Sequence, residues 1–104
     1  MPSYEIAPQA RRDLLRIYQY IAQDNPAASE ALIEELFKAF EHLARWPRSG
    51  HPRRDLTEQE VLFWPVRSYL VVYRVPRNSV PLQIVTVLHA ARDLSAILGM
   101  LSEF

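Results

Sequence analysis

The side chains able to carry proton or anion chemistry gather between Val61 and Leu98, where Arg67, Arg74, His89, Arg92 and Asp93 are interleaved with apolar, strand-like segments. A histidine titrates near neutrality and can move a proton, but one that closes an apolar strand more often serves as a hydrogen-bonded structural residue. His89 is therefore assigned no catalytic role, and no other residue is either. Arg92 and Asp93 either orient one another for a target contact or set the start of a last helix, where an acid is favoured. Arg67 and Arg74 are expected on strand positions alternating with Tyr73 and facing the open side of a sheet, with cross-strand pairing as the rival role. Eleven of the twelve basic residues are arginine, a bias toward planar, bidentate donors that suit carboxylate or phosphate. Cysteine is absent, which excludes disulfides and thiolate metal sites, and His42, His51 and His89 show no ligand spacing. No metal and no cofactor are expected.

The elements that must position these residues follow from periodicity. Ser3 to Ala7 alternates Tyr4 and Ile6 against Ser3 and Glu5, as a half-buried edge or early strand would. From Pro8, the apolar residues Ala10, Leu14, Ile17, Tyr18 and Ile21 recur at helical spacing, and proline is tolerated in the first turn. Asp24, Asn25 and Pro26 interrupt this helix, and Asn25 can cap a second one carrying Leu32, Ile33, Leu36, Phe37, Phe40, Leu43 and Ala44 as a broad stripe. The short link makes an antiparallel helix hairpin, ended by Trp46 and Pro47. Pro47 to Glu60 is a long loop with a basic half (Arg48, Arg53, Arg54) and an acidic half (Asp55, Glu58, Glu60), whose charges are expected to pair locally. Val61 to Val66, Tyr69 to Val75 and Leu82 to His89 are rich in β-branched and aromatic residues and read as antiparallel strands. Arg92 to Leu101 reads as a short closing helix.

The fold class is thus α+β: an N-terminal strand, a helix hairpin packed on an antiparallel sheet, and a C-terminal helix, with the far sheet face left for a partner. A chain of 104 residues is expected to be one domain spanning 1–104. Zero net charge and a pI near 6.8 speak against affinity built on neutralising a phosphate backbone, so no direct sequence-specific nucleic-acid binding is expected. No apolar run is long enough for a membrane and the first residues, MPSYEIAPQARRDL, lack a signal-peptide pattern, so the expectation is a cytoplasmic protein.

Taken together, Ala10-Arg11-Arg12-Asp13-Leu14, Ile17-Tyr18-Gln19-Tyr20-Ile21, Leu43-Ala44 with Pro47 and Gly50, Arg54-Asp55-Leu56, Ser68-Tyr69-Leu70-Val71-Val72-Tyr73-Arg74 and Val87-Leu88-His89-Ala90-Ala91-Arg92-Asp93 resemble the ParE toxins of the RelE/ParE superfamily. One departure is Ala7, where relatives often place a serine or threonine that caps the first helix. The resemblance implies a bacterial type II toxin, neutralised by a ParD-like antitoxin and directed at DNA gyrase; the alternative is a RelE-type, ribosome-dependent mRNA endoribonuclease. The fold is shared, so residues must choose. RelE-like nucleases are similar in supplying lysines and an arginine on the sheet and a tyrosine, or a histidine with an acid, near the C-terminus. Here Leu70 follows Tyr69 in place of that arginine, the strands carry no lysine, and the closing segment has Phe104 as its sole aromatic. The implied target-binding candidates are Arg67, Arg74, His89, Arg92 and Phe104. A groove along the hairpin around Leu15, Ile33 and Phe40, with Trp64 as a candidate anchor, would suit an amphipathic antitoxin segment.

Overall fold

The computed structural model describes residues 3–77 and 81–93. Its elements are β1 (Tyr4–Ile6), α1 (Pro8–Ala22), α2 (Pro26–Arg45), β2 (Leu62–Val66), β3 (Tyr69–Arg74) and β4 (Leu82–His89). Helix starts follow the sequence chemistry. Pro26 occupies the first turn of α2, and the Asn25 side chain accepts the Ala28 N–H at 3.0 Å, filling one donor the helix cannot satisfy itself. Ala7 has the extended backbone of a cap residue but no side-chain bond to give α1. An Ala7→Ser variant is accordingly expected to raise the unfolding free energy by about 1 kcal/mol in urea titrations. At the far end of α2, His42 and Arg45 sit in the last turn, where positive charge is favoured.

The hairpin is locked where the two helices meet: the Ser29 hydroxyl, fully buried, donates to the Tyr18 carbonyl at 2.8 Å. The sheet runs β1-β4-β3-β2, with β2, β3 and β4 an antiparallel meander. β1 is an edge strand as expected, and it pairs parallel to β4, setting Tyr4 beside Leu82 and Ile6 beside Ile84. A bulge interrupts the β3–β4 ladder, since Val72 pairs with Thr86 while Tyr73 pairs with Ile84, leaving Val85 unmatched.

Both helices pack on one sheet face. Leu14 and Ile17 of α1, Leu32, Leu36, Phe40 and Leu43 of α2, and Val71, Tyr73, Ile84 and Val87 of the sheet form one buried cluster. The opposite face was expected to stand open, and it does not. Phe63, Val72, Val85 and Leu88 form a second cluster with none more than 4% exposed, against which Leu56 of the long loop and Leu70 pack. The loop can reach there because it is tied to the sheet: His51 exchanges backbone hydrogen bonds with Phe63 on the outer edge of β2, at 3.0 and 2.8 Å. The same pairing covers part of an edge that Pro65 already makes poor for ladder growth.

Of the expected closing helix only Arg92 and Asp93 are among the described residues. Ala90 to Asp93 form a turn; the remainder of the expected helix, with Phe104, lies outside the described residues.

Candidate functional site

A cleft of about 320 Å³ lies between α1 and the end of β4. Its floor is apolar, from Ile17, Tyr69, Val87 and Leu88, and its rim carries Arg16, Tyr20, Arg92 and Asp93. Helical spacing makes this possible: Asp13, Ile17 and Tyr20 are three to four residues apart on α1 and so share a side. Arg92 extends over Tyr20, with its guanidinium carbon 5.6 Å from the ring centre, a cation–π contact at a largely exposed tyrosine.

The junction after β4 is held by short-range hydrogen bonds. The His89 N–H donates to Asp93 Oδ2 at 2.9 Å, and the Asp93 N–H returns to the His89 carbonyl at 2.9 Å. The Arg92 N–H donates to His89 Nδ1 at 3.1 Å, which assigns the neutral ring the tautomer with its proton on Nε2. The ring packs edge-on against Tyr69, its centre 5.3 Å away. His89, Arg92 and Asp93 thus form one unit, with the histidine serving as an acceptor for the turn. Arg92 Nε stands 3.4 Å from Asp93 Oδ1, a long contact that leaves half of the arginine side chain to solvent.

Asp13 is the residue that sequence reasoning missed. It is 2% exposed and accepts four hydrogen bonds: from Gln9 Nε2 and Arg16 on Oδ1, and from the Thr86 hydroxyl and the Val87 N–H on Oδ2. Its signal was available, since an acid inside the apolar stripe Ala10, Leu14, Ile17 must find partners or stay out of the core. Both carboxylates of the cleft are therefore already committed, and its rim offers cations and aromatic faces. Such a surface is suited to holding an anionic or aromatic partner.

The other expected residues disperse. Arg67 is not on a strand facing the open side: it sits in the β2–β3 turn at φ 53°, in the left-handed region, and reaches α2. Its guanidinium forks onto Glu35 at 2.6 and 3.0 Å, and that hydrogen bonding holds the Glu35 carboxyl below its usual range. Arg74, half-buried at the end of β3, makes no ion pair among the described residues. Of the hairpin candidates Leu15 is 59% exposed, whereas Phe40 is fully buried and belongs to the core, and Ile33 packs half-buried beside it. Trp64 is half-buried and stacks on the His42 ring, centre to centre 5.1 Å. Tyr20 and Trp46, at 62% and 60% exposed, are the most exposed aromatics among the described residues, and sequence reasoning did not single them out as contacts.

The family described as the ParE toxin of the type II toxin-antitoxin system parDE matches residues 4–94. The chain belongs to the ParE toxin family. Among relatives of this ParE-family toxin, the Y4kP protein of Sinorhizobium fredii is 31% identical over 90 residues, covering 86% of this chain and 90% of that one. Toxin RelE3 of Caulobacter vibrioides is 26% identical over 80 residues, 77% of this chain and 87% of its own. The chromosomal ParDE system of P. aeruginosa contains a chain of the same fold, with a TM-score of 0.69 at 18% identity, covering 86% of this chain and 96% of that chain. The RelBE2 toxin–antitoxin complex of Mycobacterium tuberculosis gives 0.60 at 27% identity, covering 86% and 99%. A type II toxin of the ParE/RelE superfamily is the function these likenesses support. Among the described residues no helix is long and apolar enough to cross a membrane.

Proposed function

We propose that this ParE-family toxin acts in the cytoplasm by binding DNA gyrase, without chemistry of its own, and is held inactive by a cognate ParD-like antitoxin. The observation that carries the reading is the far sheet face. Cutting RNA through its 2′-hydroxyl needs cations around the phosphate, a base and an acid. That face instead holds Phe63, Leu70, Val72, Val85 and Leu88 in an apolar cluster. His89, the one histidine near it in sequence, accepts a backbone N–H on Nδ1, so its neutral ring has no lone pair left for a substrate hydroxyl. Poisoning a topoisomerase makes no such demand. A ligand that binds the cleaved-DNA intermediate more tightly than the resting enzyme shifts the population toward it by its difference in affinity alone.

The RelE reading is favoured by one feature, the exposed Arg92 at the end of β4, together with the likeness to RelE3 and RelBE2. The two are separated by incubating the antitoxin-free protein with gyrase, ATP and relaxed plasmid. Loss of supercoiling with accumulation of cleaved DNA is the expected result, weakened in Arg92→Ala. Full gyrase activity at large toxin excess, with mRNA cleaved in a translating extract, would reverse the order of the two readings.

A further inference from the structure

Away from the α1–β4 cleft, a second cavity of about 510 Å³ opens between the long loop and the ends of β2 and β3. Its wall carries Arg48, Arg54 and Arg77 against one acid, Glu60. The chain as a whole is neutral, so this is a local concentration of positive charge. The loop's acidic half was expected to cancel its basic half, and it does so for one arginine: Arg53 forks onto Asp55 at 2.8 and 3.0 Å. Arg48 and Arg54 enter no ion pair among the described residues, and Arg54 Nη1 reaches only the Glu58 carbonyl, at 3.2 Å. Arg77 stands 3.7 Å from Glu60, with both side chains more than three-quarters exposed, a contact that water screens heavily.

We infer that this cavity is a binding site for phosphoryl groups. Arginine is the side chain whose planar donor fork matches phosphate oxygens. A carboxylate, with one charge and two oxygens, is satisfied by one such fork; a phosphoryl group, with up to two charges and three terminal oxygens, makes use of several guanidiniums. The loop is also held in place to present them, through the His51–Phe63 bridge and the bond from the Gly50 N–H to the Tyr73 hydroxyl. Glu60 is the competing anion, and an incoming phosphoryl group displaces it from Arg77. The site stands apart from the gyrase reading and does not depend on it. Its phosphoryl group comes from a free phosphate compound, whose terminal phosphate carries up to two charges, or from a nucleic-acid backbone, whose successive singly charged phosphodiesters the three cations would share without reading sequence.

The test uses the full chain, titrated with inorganic phosphate, tripolyphosphate, a short oligothymidylate and a glutamate-rich peptide, at ionic strength matched with sodium chloride. Thermal stabilisation by the phosphate probes is expected, because a ligand bound only by the folded state raises its stability. The double variant Arg48→Gln, Arg54→Gln is expected to weaken that binding about tenfold or more. Arg53→Gln, whose partner is Asp55, should leave it unchanged, and Glu60→Gln should tighten it. Circular dichroism of each unliganded variant checks that these exposed changes leave the fold intact. Tripolyphosphate binding alone points to a free phosphate compound; oligothymidylate binding with the same sensitivity to the arginine pair points to nucleic-acid backbone. The inference is overturned if no phosphate probe acts beyond matched chloride, if Arg53→Gln weakens binding as much as the double variant, or if the glutamate peptide alone binds through these arginines.

Discussion

An Asp13→Ala variant should unfold about 4 kcal/mol more easily than the parent chain in urea titrations. The size of the loss follows from what the carboxylate leaves behind. Arg16, its ionic partner, has a side chain 71% exposed, so water replaces that contact at small cost. Thr86 and Val87 have no such recourse. Both are buried on β4, and their hydroxyl and N–H both donate to Asp13 Oδ2. Removing the acceptor strands two buried donors, each costing about 1–3 kcal/mol, and unties α1 from the strand that ends at His89. Asp13→Asn should cost less, since its amide oxygen can still serve Val87. The amide nitrogen then faces Gln9 Nε2, and the Gln9 amide is discouraged from flipping because its Oε1 already accepts from Arg12 at 2.9 Å. A Thr86→Val change placed on Asp13→Ala should recover part of the loss by removing one stranded donor, a coupling that a double-mutant cycle measures. A cost below about 1 kcal/mol for Asp13→Ala would mean that water reaches these groups and that the α1–β4 tie is not what the burial implies.

Asp13 also marks the boundary of what the sequence could reveal. Helix ends, strand identities and the hairpin were legible because each rests on residues close in the chain: Asn25 caps through Ala28, and the α2 stripe repeats within a turn. Asp13 was passed over because its decisive partners lie 73 and 74 positions away, on a strand whose placement beside α1 no local period encodes. Arg67 fails for the same reason. The strand bounds leave it in the short link between Val66 and Tyr69, not on the strand face assigned to it, and its partner Glu35 is 32 residues earlier. The far sheet face was read as open because the meander alone leaves it so; what fills it includes Leu56 of a loop without periodicity, brought there by the His51–Phe63 bridge. Of the candidate site, the Arg92–Asp93 pair and a hydrogen-bonded His89 were legible because these residues are at most four apart. That all three close one turn, with the His89 ring accepting the Arg92 N–H, was not, because spacing does not encode the turn's geometry.

Gly50 is the second position where a single atom should have a large effect. Its φ is not positive, so the need for glycine is one of space. A Cβ built there would stand 2.6 Å from the Tyr73 hydroxyl, 2.8 Å from Tyr73 Cε1 and 2.9 Å from the Phe63 carbonyl oxygen. Tyr73 is fully buried and the Phe63 carbonyl is held by the His51 N–H, so neither can yield cheaply. Gly50→Ala should therefore cost about 3 kcal/mol, from overpacking and from loss of the bond that the Gly50 N–H gives the tyrosine at 2.8 Å. Tyr73→Phe removes the same bond and the one its hydroxyl donates to the Pro47 carbonyl at 2.7 Å, for about 2 kcal/mol. The double variant should lose less than the sum, since the shortest clash vanishes with the hydroxyl while those with Cε1 and Phe63 remain. Tyr73 carries a pH signature as well. Burial pushes its phenol above the ordinary value, outweighing the opposing Gly50 hydrogen bond and the charge of Arg48. The unfolded chain therefore gives up this proton first, so stability is intact below about pH 10 and falls as pH rises above it. Tm measured from neutral pH to about pH 11 should show that decline in the parent chain and a shallower one in Tyr73→Phe, with the remainder owed in part to Tyr4, whose phenol is raised by burial and by Glu41. An unchanged alkaline slope in Tyr73→Phe would show that the hydroxyl is open to water, and with it that the loop carrying Arg48 and Arg54 is not pinned to β3 through this residue.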